Sequence, residues 1–191
     1  MPKRVDHDAR RGEIARAALR LCAREGLASV TIGRVAAEAA ISKGLVQHYF
    51  PTKEALLQLA ATMQRRDIES AVAAAVQLDH PPRTALRQVL LALVSLGTEQ
   101  ILAGHAFLAS TAATPQLHRL YREGSSAATA AVAQLVTEAR GSAAAAEAEA
   151  RILLGVAGAL ADARMLGEIS HSAAIAVLDL QLSRLIAGSA G

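Results

Sequence analysis

The chain has 191 residues, of which 52% are hydrophobic and only 2% aromatic, with a formal net charge of +3. That length holds one medium domain or a small domain fused to a larger one. One cysteine rules out an internal disulfide, and the longest apolar run, Ile152 to Ala161, falls far short of the ~20 residues a bilayer needs, so a membrane or secreted protein is not expected and a reducing cytoplasm is.

The N-terminus is charged and lacks the apolar core of a signal peptide. Alanine and leucine dominate and no stretch sustains a strand-like alternation, so an all-α protein is predicted. The basic excess is local. Residues 1–50 carry nine Lys/Arg against five Asp/Glu, and residues 51–191 carry eleven against twelve. A basic N-terminal module on a near-neutral body suits a polyanion as partner for that module alone.

In chain order, the first predicted helix runs from about Asp8 to Glu25. Ile14, Ala18, Leu21 and Cys22 recur at helical spacing, with Arg10, Arg16, Arg20 and Arg24 off that stripe. Cys22 reads as packed core rather than a reactive thiol. Gly26 is placed to end this helix in a left-handed conformation. Thr31, Ser42 and Thr52 are placed to cap the second, third and fourth helices. Beyond Thr52, helices are predicted near 53–78, 83–103, 116–140, 143–166 and 172–188, with a short element around 105–112. The breaks are assigned to Asp79-His80-Pro81-Pro82, Gly104, Thr114-Pro115, Gly141-Ser142 and the stretch from Gly167 to Ser172.

The third helix carries the function argument. On a wheel advancing ~100° per residue, Val46 and Phe50 share one side, with Lys43 and Tyr49 flanking it. Gly44, Leu45, Gln47 and His48 point away. A glycine in so short a helix costs about 1 kcal/mol relative to alanine, and close approach to another surface is a reason to keep it. Gln47 can pair with an adenine edge, His48 with a base acceptor or phosphate, and Leu45 with a thymine methyl. Lys43 and Lys53 begin successive helices, where phosphate is already favoured, and Thr31, Ser42 and the Tyr49 hydroxyl can add backbone contacts. The competing interpretation is a helical interaction module whose basic face docks an acidic protein.

The spacing Thr31…Ala36…Ala39-x-Ile41-Ser42-x-Gly44-x-Val46-x-x-Tyr49-Phe50-x-x-Lys53-x-x-Leu56 resembles the N-terminal module of TetR-family transcriptional regulators. The resemblance covers roughly residues 9–69, with the helix-turn-helix motif at about 32–51. Beyond residue 70 it is one of length and helix count. It implies an all-α fold of about nine helices, with a three-helix DNA-binding module at 9–69 and a ligand-binding and dimerisation domain at 70–191. It further implies a homodimer on double-stranded DNA, pairing through helices eight and nine, and a ligand cavity among helices four to seven. Two positions depart from the family pattern. The turn residue that is usually glycine is Ala40, and the position after Val46, commonly tyrosine, is Gln47.

Gly155, Ala157, Gly158 and Ala161, with Leu178, Leu182 and Leu185, are the residues expected at the dimer face, the small ones permitting close helix approach. Only Phe107 and Tyr121 supply aromatics outside the DNA module, so an aromatic cage is not expected and a small aliphatic or weakly polar effector is. Glu99, Gln100, His105, Phe107, His118, Tyr121 and Gln134 are the candidates to contact it. Enzyme, metal and cofactor readings find no support. The lone Glu-x-x-His, Glu168 to His171, lies in a Gly- and Ser-bearing break, and no phosphate loop, Cys-x-x-Cys or nucleophile elbow is present.

Overall fold

The computed structural model describes residues 7–76, 80–112 and 114–187. Among these residues it contains nine α-helices and no strand: α1 His7–Glu25, α2 Ile32–Glu38, α3 Lys43–Tyr49, α4 Lys53–Val76, α5 Pro82–Val94, α6 Thr98–Ser110, α7 Pro115–Arg140, α8 Ala146–Met165 and α9 His171–Ala187. The all-α fold read from composition is therefore the fold observed. No single described helix is long and apolar enough to cross a membrane. Asp79 of the expected break, and the last positions of the helices expected to reach 78 and 188, lie outside the described residues.

All three hydroxyl caps form as the sequence predicts. Thr31 Oγ1 accepts from the Arg34 amide at 3.3 Å, Ser42 Oγ from Leu45 at 3.1 Å, and Thr52 Oγ1 from Ala55 at 3.1 Å. Each satisfies one amide that the first helical turn leaves without an intrahelical partner. Gly26 closes α1 by donating to the Cys22 carbonyl at 2.8 Å, and its φ is positive as expected. Its ψ of 165°, however, takes it out of the left-handed helical region and into the start of a short 3-10 turn, Leu27–Ser29.

Two segment boundaries differ from expectation, and each has a tertiary cause. The helix expected at 83–103 stops at Val94, and the next begins at Thr98, so Gly104 lies inside α6 rather than in a break. The C-terminal end of α5 is held by Arg164 of α8, whose guanidinium donates to the carbonyls of Val94, at 3.0 Å, and Leu96. Gly104 is instead a packing residue: a Cβ there would lie 3.0 Å from Gln64 Nε2. The helix expected from 143 starts at Ala146, because Ala145 takes a left-handed backbone, φ 58°. Arg140 spans that turn, reaching the Ala144 carbonyl at 3.4 Å and Glu149 at 2.5 Å.

The chain divides into two compact units. The first comprises residues up to Asp67 together with Glu99–Tyr121, and the second Ile68–Thr98 and Arg122 onward. The helix α4 is thus shared between them. In the first unit, Ile14, Ala18, Leu21, Val35, Val46, Phe50, Leu56, Phe107 and Leu117 form one continuous core. The second unit is built on α5, α8 and α9, packed on one another with part of α7 through Leu86, Leu90, Val136, Leu153, Ala157 and Leu178.

Candidate nucleic-acid interface

The N-terminal part of the first unit assembles from a simple division of labour. The helices α1 and α2 pack together, α3 packs on α2, and the apolar residues of each turn inward. Across α3 and its two caps, Val46 and the C-cap Phe50 are fully buried, whereas the N-cap Ser42 and Lys43, Gly44, Leu45, Gln47 and His48 are exposed. That is the orientation the helical wheel predicts. Thr31 is exposed at the head of α2, and Lys53 is half-buried at the head of α4. A Cβ added at Gly44 would meet nothing within 4 Å, so no contact inside the chain requires a glycine there.

Tyr49 does not join this exposed set. It is only 8% exposed, with its ring tilted against His7 at 5.6 Å and edge-on to His48 at 5.3 Å between centroids. Its angular position on the wheel is intermediate, and its large ring takes the core side, where burial of an aromatic is most favourable. Tyr49 is therefore a packing residue that supports His48 rather than an exposed contact.

The turn between α2 and α3 has the geometry that makes Ala40 unusual. Ala40 has φ 54°, the left-handed region that disfavours any Cβ. The Ala40 amide donates to the Ala37 carbonyl at 3.1 Å, and the Ile41 amide to Ala36 at 2.9 Å, so this residue ends α2 and aims the chain into α3. Alanine holds the turn at a conformational cost of about 1 kcal/mol.

Charge around the module is more organised than its net excess suggests. Glu38 on α2 receives Arg20 at 3.0 Å and Arg24 at 2.9 Å from α1, and Glu25 receives Arg24 at 3.3 Å as well as Arg34. Hydrogen bonds from these guanidinium groups hold both carboxyls below the usual carboxylate range. Arg10 pairs with Glu13 at 2.6 Å. Much of the N-terminal basic excess thus stitches α1 to α2. Among the described residues, no carboxylate pairs with Lys43 or Lys53.

One residue that sequence reading passes over is Arg11. Its Nη1 donates to the Tyr49 carbonyl at 2.9 Å, and its guanidinium carbon lies 4.7 Å from the centroid of the Phe50 ring. No sequence signal marks it apart from its neighbours Arg10 and Arg16. Cys22 is 1% exposed and burial pushes its thiol up to about 11, as expected of an inert core cysteine.

Of the residues expected to contact an effector, Gln100 and Tyr121 meet at Gln64, and Tyr121 packs on the core that holds Phe107. Glu99, His105 and His118 are exposed. Phe107 is fully buried in the first core, since the aromatic ring on α6 is the side chain that fills it. Tyr121 donates to Gln64 Oε1 at 3.2 Å and to the Gly104 carbonyl at 3.4 Å, and burial pushes its hydroxyl up. The Gln100 carbonyl accepts from Gln64 Nε2 at 2.9 Å. Gln134 lies in the second unit, exposed, where it donates to Glu138 at 3.0 Å. Around the same helices, a groove of about 620 Å³ is lined by Leu27, Lys53, Leu57, Ala109 and Gln116 among others, none of them among the expected residues.

The expected dimer residues divide as well. Ala157, Ala161, Leu178 and Leu182 are buried inside the second unit itself, because their side of α8 and α9 faces the chain's own core. Contrary to expectation, these four leave almost no surface for a second copy to cover. Leu185 is half-buried against the same core. Gly155 and Gly158 are exposed, with nothing within 4 Å of an added Cβ. The exposed apolar positions beside them are Ile152 on α8, Leu166 after it, and Val177 and Leu180 on α9, between 46% and 66% exposed.

Residues 14–60 match the family model described as bacterial regulatory proteins, tetR family. Over 112 residues the chain is 31% identical to the HTH-type transcriptional regulator PksA of Bacillus subtilis, a match covering 59% of this chain and 55% of that protein. The chain spans about half the length of the curated relatives it matches. Among solved structures, a transcriptional regulator from Rhodococcus sp. RHA1 superposes with TM-score 0.83 at 22% identity, covering 93% of this chain and 96% of that one. A second, from Saccharomonospora viridis in complex with choline, superposes with TM-score 0.77 at 19% identity over 93% and 94% of the two chains. The helix-turn-helix geometry and the family match fall on the same residues, so the N-terminal module of this chain is similar to that of the tetR family of bacterial regulatory proteins.

Proposed function

We propose that the protein is a cytoplasmic, ligand-responsive transcriptional repressor that binds a palindromic operator as a homodimer. Residues 9–69 read the DNA, and residues 70–191 bind the effector and form the dimer. One α3 enters the major groove of each half-site. Gln47 and His48 face base edges, Leu45 faces a thymine methyl, and Lys43, Lys53, Thr31 and Ser42 engage phosphates. Gly44 permits close approach of the helix to the duplex. The carrying observation is the sidedness of α3, with Val46 and Phe50 fully buried while Gln47 and His48 stand exposed.

The exposed Ile152, Val177 and Leu180, alongside Gly155 and Gly158, support pairing of α8 and α9 with their symmetry mates, since such apolar surface favours a partner. The helix α4 runs from Lys53 at the reading head into the second unit and is the lever for release. An effector shifts the spacing of the two heads only if it binds one arrangement more tightly than the other. Phe107 is spent in the core and the Tyr121 hydroxyl is spent on Gln64, so the choline bound by the S. viridis neighbour is a poor guide to this effector. A small aliphatic or weakly polar molecule fits better.

A mobility-shift assay on the DNA flanking the protein's own gene tests the proposal. Retarded complexes that survive excess unrelated duplex are expected. Weak binding that is blind to sequence at every salt concentration would instead favour docking to an acidic protein.

A further inference from the structure

The reading helix is anchored differently at its two ends. Its start is held locally by the Ser42 cap, three residues from its partner amide. Its end is held by α1, 38 residues away in sequence, through Arg11. The Tyr49 carbonyl is one of the acceptors that the last turn of any helix leaves unsatisfied, and a cation there also meets the negative end of the peptide dipoles. Arg11 donates to that carbonyl at 2.9 Å while its guanidinium lies 4.7 Å from the centroid of the Phe50 ring, which is itself fully buried. A hydrogen bond to one residue and a cation–π contact with the next constrain both the rotation and the tilt of this helix end. Arg11 is half-buried and spends its guanidinium inward.

We propose that Arg11 is a positioning residue for DNA reading, one that sets sequence discrimination by orienting α3 and makes no phosphate contact of its own. The inference rests on the DNA-reading function proposed above. A lysine cannot replace it, because an ammonium is a point charge without the planar fork that stacks and bonds together.

The test uses the full chain and a duplex enriched by the wild type from a randomised pool, with a scrambled duplex as control. Affinities are measured across a salt series for wild type, Arg11→Met and Arg11→Lys, with helical content and melting checked for each. Methionine keeps an apolar stem of similar length, preserving the packing. Both variants are expected to lose about tenfold on the enriched duplex. Their affinity for the scrambled duplex, and the slope of log K against log salt, should stay at wild-type values. A wild-type ratio of the two affinities in Arg11→Lys overturns the proposal. So does an equal loss on both duplexes in Arg11→Met with a salt slope shallower by about one, the signature of a direct phosphate contact. If Arg11→Met does not fold, the lysine variant alone decides. Failure of the wild type to enrich any sequence would overturn the DNA-reading function itself, and this inference with it.

Discussion

The reading helix and the C-terminal helix pair distribute their apolar side chains in different ways. In α3 the apolar side is the buried side, and the exposed side is Lys43, Gly44, Gln47 and His48 with Leu45 alone at 37% exposure. In α8 and α9, Leu153, Ala157 and Leu178 are fully buried, yet Ile152, Val177 and Leu180 on the other sides stay about half-exposed. A helix with one apolar side needs only its own core. A helix with two has a second surface to satisfy, and a copy of the same chain is the simplest way to satisfy it. On the proposed function, the difference separates a module that meets a polar, charged partner from one that meets a second copy of the chain.

The comparison breaks most readily at neighbouring residues of α9. Leu178→Ala removes a fully buried side chain and is expected to cost about 2–5 kcal/mol in denaturant unfolding, whatever the protein concentration. Val177→Glu with Leu180→Glu should leave the helical spectrum intact but convert the sedimenting species from dimer to monomer. A variant that stays dimeric would place the pairing surface elsewhere.

A smaller effect sharpens the comparison from the backbone side. Ala40 and Ala145 both hold left-handed φ, one in the turn before α3 and one at the head of α8. Ala40→Gly and Ala145→Gly are each expected to stabilise by about 1 kcal/mol, read as a rise in Tm. Neither should change oligomeric state.

The smallest effect is the acid response of each region. Glu38 in the first unit and Asp179 in the second are held below their ordinary values of 4.5 and 3.8, chiefly by hydrogen bonds from Arg24 and Arg87 respectively. A depressed folded-state pKa means the stabilisation is complete above the ordinary value and lost as pH falls through the folded one. Glu38→Gln should therefore lose stability less steeply than wild type below pH 4.5 and fall short of it above. Parallel curves for the two proteins would remove the Glu38 pairs from the account.

The same contrast explains what could be read before the structure. The N-terminal module is written in local signals: caps three residues from their amides, and an apolar spacing that settles which side of α3 turns inward. The family pattern marks Ala40 as a departure from glycine in the turn, but the left-handed backbone there comes from the structure. Much of what escaped depends on residues far apart in sequence. The break between α5 and α6 does carry a local stop signal in Gly97, which the expected break at Gly104 passes over, and it is completed by Arg164, about 70 residues on. Arg11 looks like its neighbours until Tyr49 and Phe50 are packed against it. Apolar spacing in α8 and α9 does not say which apolar side belongs to the chain's own core, and Ala157 and Leu178, expected at the dimer face, lie in that core. For the polar residues of α6 and α7, residue type carries no information about which way each side chain points.

The central claim is that the outward side of α3 reads bases while the flanking lysines hold the backbone. It is tested most directly by comparing the sequences that wild type, Gln47→Ala and Lys53→Ala enrich from a random duplex pool, with affinities across a salt series. Gln47→Ala is expected to lose preference at one position per half-site, whereas Lys53→Ala keeps the full motif, binds every duplex more weakly and shows a shallower salt slope. Equal loss of sequence preference in the two variants, or an unchanged motif in Gln47→Ala, would contradict it.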